Sequence, residues 1–133
     1  MIGTLFGRFC PAFLAIGLLA NLAVQAEAAE LLMFESDDCI WCDAWDAEIG
    51  PIYPKTAEGQ RAPLRRVDIH APRPNDLGNV EGVRFTPTFV LVDDRGQEVG
   101  RINGYPGEDF FWGLLSDLIA RLPKAAEDPL TSI

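Results

Sequence analysis

The sequence predicts an α/β domain, a mixed four-stranded sheet flanked by helices in the order β-α-β-α-β-β-α. Three observations lead there. The first three apolar, strand-like runs alternate with helix-like segments, which predicts parallel crossovers between them. The third and fourth runs are separated by residues 93–97, in which Asp93-Asp94-Arg95-Gly96 is a turn by composition, so they form an antiparallel hairpin. The clearest helix, Glu108–Leu122, closes the unit, with Phe111, Leu114, Leu115, Leu118, Ile119 and Leu122 spaced as one face.

Each element has its own signal. Leu31–Phe34 is a short apolar run and reads as the first strand. Glu35–Asp38 is a polar turn, and Cys39–Ile49 reads as a helix ended by Gly50-Pro51. Residues 52–63 read as irregular, punctuated by Pro54 and Gly59. Leu64–Ile69 alternates weakly and reads as the second strand. Pro72 and Pro74 make 71–75 a loop, with a short helix expected over Asp76–Gly82. Phe89–Val92 is continuously apolar, the pattern of a strand buried on both faces. Glu98–Asn103 is the returning strand, and Gly104-Tyr105-Pro106-Gly107 breaks the chain before the last helix. Phe110, Phe111 and Trp112 are consecutive, so one helix face cannot bury all three.

At 133 residues the chain is long enough for one domain with one core. Its net charge of −9, with Arg65-Arg66 the only adjacent basic pair, argues against nucleic-acid binding, because nothing is placed to neutralise phosphates. That pair reads as a strand edge or solvated face. The start of the chain reads as a secretory signal peptide over residues 1–26, with Arg8, an apolar stretch from Phe9 to Val24 and small residues for cleavage at 26–29. An uncleaved anchor is the alternative. The apolar stretch is shorter than the ~20 residues a spanning helix needs and contains Pro11 and Asn21. Cleavage removes Cys10 and leaves a domain over 30–123, a mobile tail over 124–133, and two cysteines in an oxidising compartment. The expected location is periplasmic.

Those cysteines are Cys39-Ile40-Trp41-Cys42, placed where a strand gives way to a helix. Unpaired N–H groups and the macrodipole at a helix start favour a thiolate at the first sulfur. The second lies one turn further in, near enough to resolve a mixed disulfide. Cys39 is therefore the expected exposed nucleophile and Cys42 the expected buried resolving thiol. A static disulfide is the bland reading, but so small a loop constrains the unfolded chain by only about 2 kcal/mol. Two cysteines and His70 are too few for an all-Cys/His zinc site. No metal and no dissociable cofactor is expected. His70 reads as a strand-end surface residue. Asp68 reads as another, with a role in proton transfer left open.

A Cys-x-x-Cys after the first strand, on this element order, resembles the thioredoxin-like family. Thr86-Pro87, about 45 residues after the cysteines, matches the place where that family carries a cis-proline. Gly104-Tyr105-Pro106-Gly107 matches the loop bordering its redox site. The resemblance implies that Pro87 packs beside the disulfide and that backbone near Thr86 pairs with a substrate chain. It makes Trp41, Phe85, Thr86, Pro87, Gly104 and Tyr105 candidate substrate-binding residues. Trp41 either packs on the helix or stands exposed for docking, the second being preferred; Phe85 and Tyr105 divide evenly between core and groove. Within the family, the strings Ile52-Tyr53-Pro54-Lys55, Val67-Asp68-Ile69-His70 and Gly104–Trp112 are similar to the SoxS-type periplasmic thioredoxins of sulfur-oxidising bacteria. That likeness implies a sulfur-carrier protein of the Sox system as substrate and electrons from a membrane thiol transporter. The expected state of the chain is a monomer. The chain departs from general thioredoxins at Ile40-Trp41 between the cysteines, at Met33 where a buried Asp is usual, and at Glu35 where a Trp is usual.

The flanking charges bear on direction. Asp37, Asp38, Asp43 and Asp46 surround the cysteines. An exposed carboxylate ~10 Å away at effective dielectric ~60 disfavours a thiolate by roughly 0.5 kcal/mol. Several together offset the ~0.3–1 kcal/mol a helix start gives. A less stabilised thiolate means a more reducing couple, so a reductase is favoured over an oxidase. The competing readings are a non-catalytic binding module, holding copper or a protein partner, and a general periplasmic disulfide-exchange protein.

Overall fold

The computed structural model describes residues 28–123. The expected leader over 1–26 and tail over 124–133 lie outside the described residues. Strands β1 (Glu30–Glu35), β2 (Leu64–Asp68), β3 (Thr88–Val92) and β4 (Glu98–Asn103) form one sheet in the order β2-β1-β3-β4. Helices α1 (Ile40–Glu48), α2 (Ala57–Arg61) and α3 (Glu108–Ile119) accompany them. Ala29 is already buried, so the packed unit begins one residue before Glu30.

The period-2 alternation of a strand divides the core in two. Leu31 and Met33 of β1 and Phe89 and Leu91 of β3 join Trp45, Tyr53, Phe111 and Leu115 under α1 and α3. Leu32, Phe34, Val90 and Val92 face the other way and pack with Val67, Leu77 and Val80. Both faces of β1 and β3 are covered, which is why those strands read as unbroken apolar runs.

Two connections differ from the sequence expectation. Residues 52–63 are not irregular: a 3₁₀ turn at Tyr53–Lys55 leads into α2, capped by Thr56, whose hydroxyl accepts the Gly59 N–H at 3.0 Å. Gly59 is required there, because a Cβ would lie 1.9 Å from the Tyr53 carbonyl oxygen. The segment is too short to show a helical period, and Pro54 disguises it as loop.

The second difference lies between β2 and β3. β1 and β2 are parallel, but β3 runs antiparallel to β1, so the expected second parallel crossover does not occur. Only one 3₁₀ turn forms there, at Asn75–Leu77, instead of a helix over 76–82. The connection dips to the far end of the sheet, where Asp76 pairs with Arg65, then returns. Leu77 and Val80 seal the second face as it passes. A chain that goes down and back in extended form needs no helix to reverse β3. In α3, Phe111, Leu115 and Leu118 are buried as expected, whereas Leu114 is exposed. Phe110 faces out and Trp112 stacks on Tyr53 at 6.1 Å, which resolves the aromatic triplet.

Candidate redox site

Cys39 is the N-cap of α1 and leaves β1 through the 36–39 turn, where its N–H donates to the Ser36 carbonyl at 3.2 Å. Its sulfur accepts the Cys42 backbone N–H at 3.1 Å, a donor at the helix start that is shared with the Cys39 carbonyl at 3.0 Å. The two cysteines are joined as a disulfide, their Cα atoms 5.2 Å apart. Cys39 is 7% exposed and Cys42 3%. The expected open first sulfur is therefore nearly as covered as the second in the disulfide form. Both belong to the core cluster that includes Trp45 and Phe111, so the helix that positions them is fixed from below.

The candidate binding residues separate into two groups. Trp41 is 58% exposed and Phe85 55%, and with Ile40 at 71% they give the molecule large unburied apolar side chains in the redox turn and in the loop before β3. Thr86 meets the turn through its hydroxyl, 3.2 Å from that of Ser36. The Thr86-Pro87 peptide is cis, and Pro87 is buried. Among the described residues, the Thr86 N–H and C=O have no backbone partner. Gly104 donates its N–H to the Pro87 carbonyl at 2.8 Å and adopts φ +83°, a conformation that favours glycine.

Tyr105 is placed differently. It is buried against Phe111, and its hydroxyl donates to the Glu48 carboxylate on α1. Burial, then the hydrogen bond and charge of Glu48, push its phenol well above the ordinary value, so it stays a donor. Tyr105 acts as a strut from the 104–107 loop to the cysteine-bearing helix, not as an open groove wall. His70 is exposed, and its backbone N–H donates to Asp68. Among the described residues no group of three or more His, Cys, Asp or Glu side chains is placed to hold a metal.

Sequence reasoning missed Arg66. It sits opposite Met33 in the β1–β2 register and reaches up to α1. Its guanidinium pairs with Glu35 and Asp46, each at 2.5 Å, and lies 6.0 Å from the Trp45 ring centroid. The Asp46 hydrogen bond, ahead of Glu35, keeps it firmly protonated. Asp46 is thus a paired charge, and the free acidic flank reduces to Asp37, Asp38 and Asp43. Alternation along 64–68 puts Arg66 and Asp68 on one face, but the register that brings them beside α1 is not written in either strand alone.

A family model described as a thioredoxin-like domain matches residues 20–119. None of the curated proteins matches. Among solved structures, the chain is similar to the periplasmic thioredoxin SoxS from Paracoccus pantotrophus in its reduced form. That similarity is 50% identity at a TM-score of 0.66, over 70% of this chain and 97% of that one. It is also similar to a Malassezia sympodialis thioredoxin, Mala s 13, at 21% identity and a TM-score of 0.52, over 71% and 77% of the two chains. The second likeness speaks to the fold alone.

Proposed function

The chain belongs to the thioredoxin-like family and is a thiol–disulfide oxidoreductase, and from that premise we propose that it is a periplasmic reductase of a sulfur-carrying cysteine on a partner protein. The observation that carries the reading is the disulfide at the N-cap of α1, with exposed Ile40 and Trp41 in its turn and the unpaired Thr86 backbone tied to that turn. Half the residues aligned with the Paracoccus protein are identical, which supports both the compartment and a partner of the sulfur-oxidation type. A membrane thiol donor would return the electrons.

In the reduced protein, the Cys39 thiolate attacks a sulfur of the partner disulfide. A Cys39–partner bond forms and the other partner sulfur leaves as a thiolate. Cys42 then attacks Cys39, the internal disulfide reforms, and the second partner sulfur departs. Two electrons pass from the dithiol to the partner. Trp41 and Phe85 offer apolar contact to the partner chain, and the Thr86 N–H and C=O offer it backbone hydrogen bonds.

Trapping tests this. Cys42→Ser should hold the partner as a covalent adduct, because the resolving thiol is gone, and Cys39→Ser should hold none. Adducts recovered from the native periplasm and identified by mass spectrometry should contain a sulfur-carrier protein. Adducts with many unrelated proteins would replace this reading with general disulfide exchange.

A further inference from the structure

Ser36 follows β1 directly and takes part in both halves of the site. Its carbonyl accepts the Cys39 N–H at 3.2 Å, which closes the turn that carries the first cysteine. Its hydroxyl lies 3.2 Å from that of Thr86, 50 residues away in the loop before β3, and either oxygen can donate. Both side chains are half-buried. The rest of that loop is held from its own hairpin. Thr88, the first residue of β3, donates its hydroxyl to the Phe85 carbonyl at 2.7 Å. Gly104, just past β4, donates its N–H to the Pro87 carbonyl at 2.8 Å. Among the described residues, the Ser36–Thr86 pair is the hydrogen bond that joins this loop to the cysteine turn.

We propose that Ser36 is a positioning residue for the partner chain: its hydroxyl sets the distance between the free Thr86 backbone and the Cys39 sulfur. The inference rests on the reading of Thr86 as the edge that the partner chain pairs with. Attack by Cys39 fixes the partner at one point, its reacting sulfur. Hydrogen bonds to the Thr86 N–H and C=O fix it at a second. Two points hold a chain well only when their spacing is set beforehand, because otherwise each encounter must freeze the loop as well as the chain. The bonds from Thr88 and Gly104 tie the loop to the sheet and leave its spacing from the cysteine turn open. Ser36 sets that spacing, since one residue closes the turn with its carbonyl and holds Thr86 with its hydroxyl.

The role has a distinct signature. Ser36 acts through Thr86 and takes no part in bond making. Its hydroxyl therefore matters to a disulfide that carries a peptide chain and not to one that carries none.

Two probes with the same leaving group read that difference. One is the mixed disulfide of thionitrobenzoate with a short blocked peptide of alanine, glycine and serine around a central cysteine. The other is the mixed disulfide of thionitrobenzoate with 2-mercaptoethanol, which has no peptide backbone. Each is mixed with the fully reduced protein in stopped flow. The Cys39 thiolate attacks the peptide or mercaptoethanol sulfur and forms a new mixed disulfide with it. Thionitrobenzoate leaves with the electron pair of the broken bond and is read by its absorbance.

Wild type should favour the peptide probe. For Ser36→Ala we expect that preference to fall about fivefold, the scale of one net hydrogen bond. The loss should come as a higher half-saturating peptide concentration at an unchanged limiting rate. The mercaptoethanol probe should react as in wild type, and the equilibrium against a thiol buffer should not move. Ser36→Thr keeps a hydroxyl and should restore the preference. In a Thr86→Val background Ser36→Ala should lower it no further, because the other hydroxyl is already gone. A Ser36→Ala protein with the wild-type preference would overturn the proposal. So would equal slowing of both probes, which would make the hydroxyl a support of the cysteine turn alone, and so would additive losses in the double variant. A wild-type protein without any preference for the peptide would overturn the Thr86 edge itself, and with it the reading on which this one rests.

Discussion

The two faces of the sheet are built to different standards. Under α1 and α3 the core is aromatic: Trp45 lies within 5.4–5.9 Å of Phe89, Phe111 and Tyr53, centroid to centroid, and the cysteines belong to the same cluster. On the opposite face, aliphatic residues and Phe34 are covered by an extended connection contributing Leu77 and Val80. Chemistry that needs two sulfurs held in register with a loop and a turn belongs on the face with interlocking rings and regular helices. The other face needs only to be kept dry.

The first way to break that comparison is to empty each core. Trp45→Ala removes a fully buried ring and should cost about 3–5 kcal/mol. It should also disturb the redox equilibrium, since α1 carries the cysteines. Val80→Ala removes two buried methyl groups, about 1.6 kcal/mol of transfer energy before any cavity term. It should leave the redox equilibrium unchanged. Urea melts and a titration against a thiol buffer check both. A potential that moves with Val80 would show that the faces are coupled.

A smaller effect sharpens the same contrast through pH. Tyr53 donates to the Ala62 carbonyl at 2.7 Å, and burial, then the Glu58 charge, push its phenol well above its usual range. Tyr105 shifts the same way through burial and Glu48. Both folded values are raised, so the folded state holds these protons more tightly than the unfolded chain. The stability they contribute is complete below the ordinary phenol pKa of about 10 and is lost as pH rises beyond it. Urea midpoints should be flat from pH 8 to 9.5 and fall above that. Tyr53→Phe should shallow the fall and cost about 1 kcal/mol at neutral pH. An unchanged alkaline slope in that variant would place the effect elsewhere.

How much of this was legible in the sequence follows from range. β1, the β3–β4 hairpin, α1 and α3 were readable because each carries its signal within a few residues: an apolar run, an Asp-Asp-Arg-Gly turn, a Gly-Pro stop, a 3.6 period. The cysteines at the start of α1 were readable for the same reason. α2 was not, because five residues cannot display a period and Thr56 capping looks like loop chemistry. The reversed β3 was not, because direction depends on where the 69–87 connection travels. At the site, type and position favoured an exposed Trp41 but left Phe85 divided between core and groove. Glu48 as the partner of Tyr105, and Arg66 as the partner of Asp46, required contacts between residues 57 and 20 positions apart, which no local pattern encodes.

The missed Arg66 changes the last and smallest prediction, which concerns the acidic rim rather than either core. Four aspartates read as one negative flank; Asp46 is neutralised at 2.5 Å by Arg66, so three remain to act on the thiolate. At roughly 0.5 kcal/mol each, before screening, they withhold at most about 1.5 kcal/mol. For a two-electron couple 30 mV is about 1.4 kcal/mol, so neutralising Asp37, Asp38 and Asp43 together should make the couple more oxidising by about 15–30 mV. Asp46→Asn has a different consequence. It frees Arg66, whose charge then acts unopposed by that partner, and should raise the potential although Asp46 itself is already paired. Equilibration of each variant against a thiol redox buffer, repeated at high salt, separates the cases. The triple variant's shift should shrink with salt, because exposed charges are screened. The Asp46→Asn shift should shrink less, because Arg66 is only partly exposed, lies 6.0 Å from the Trp45 ring centroid and keeps its pair with Glu35. A triple variant with an unchanged potential at low salt would mean that the helix start alone sets the thiolate, and the electrostatic ground for a reductase would be gone.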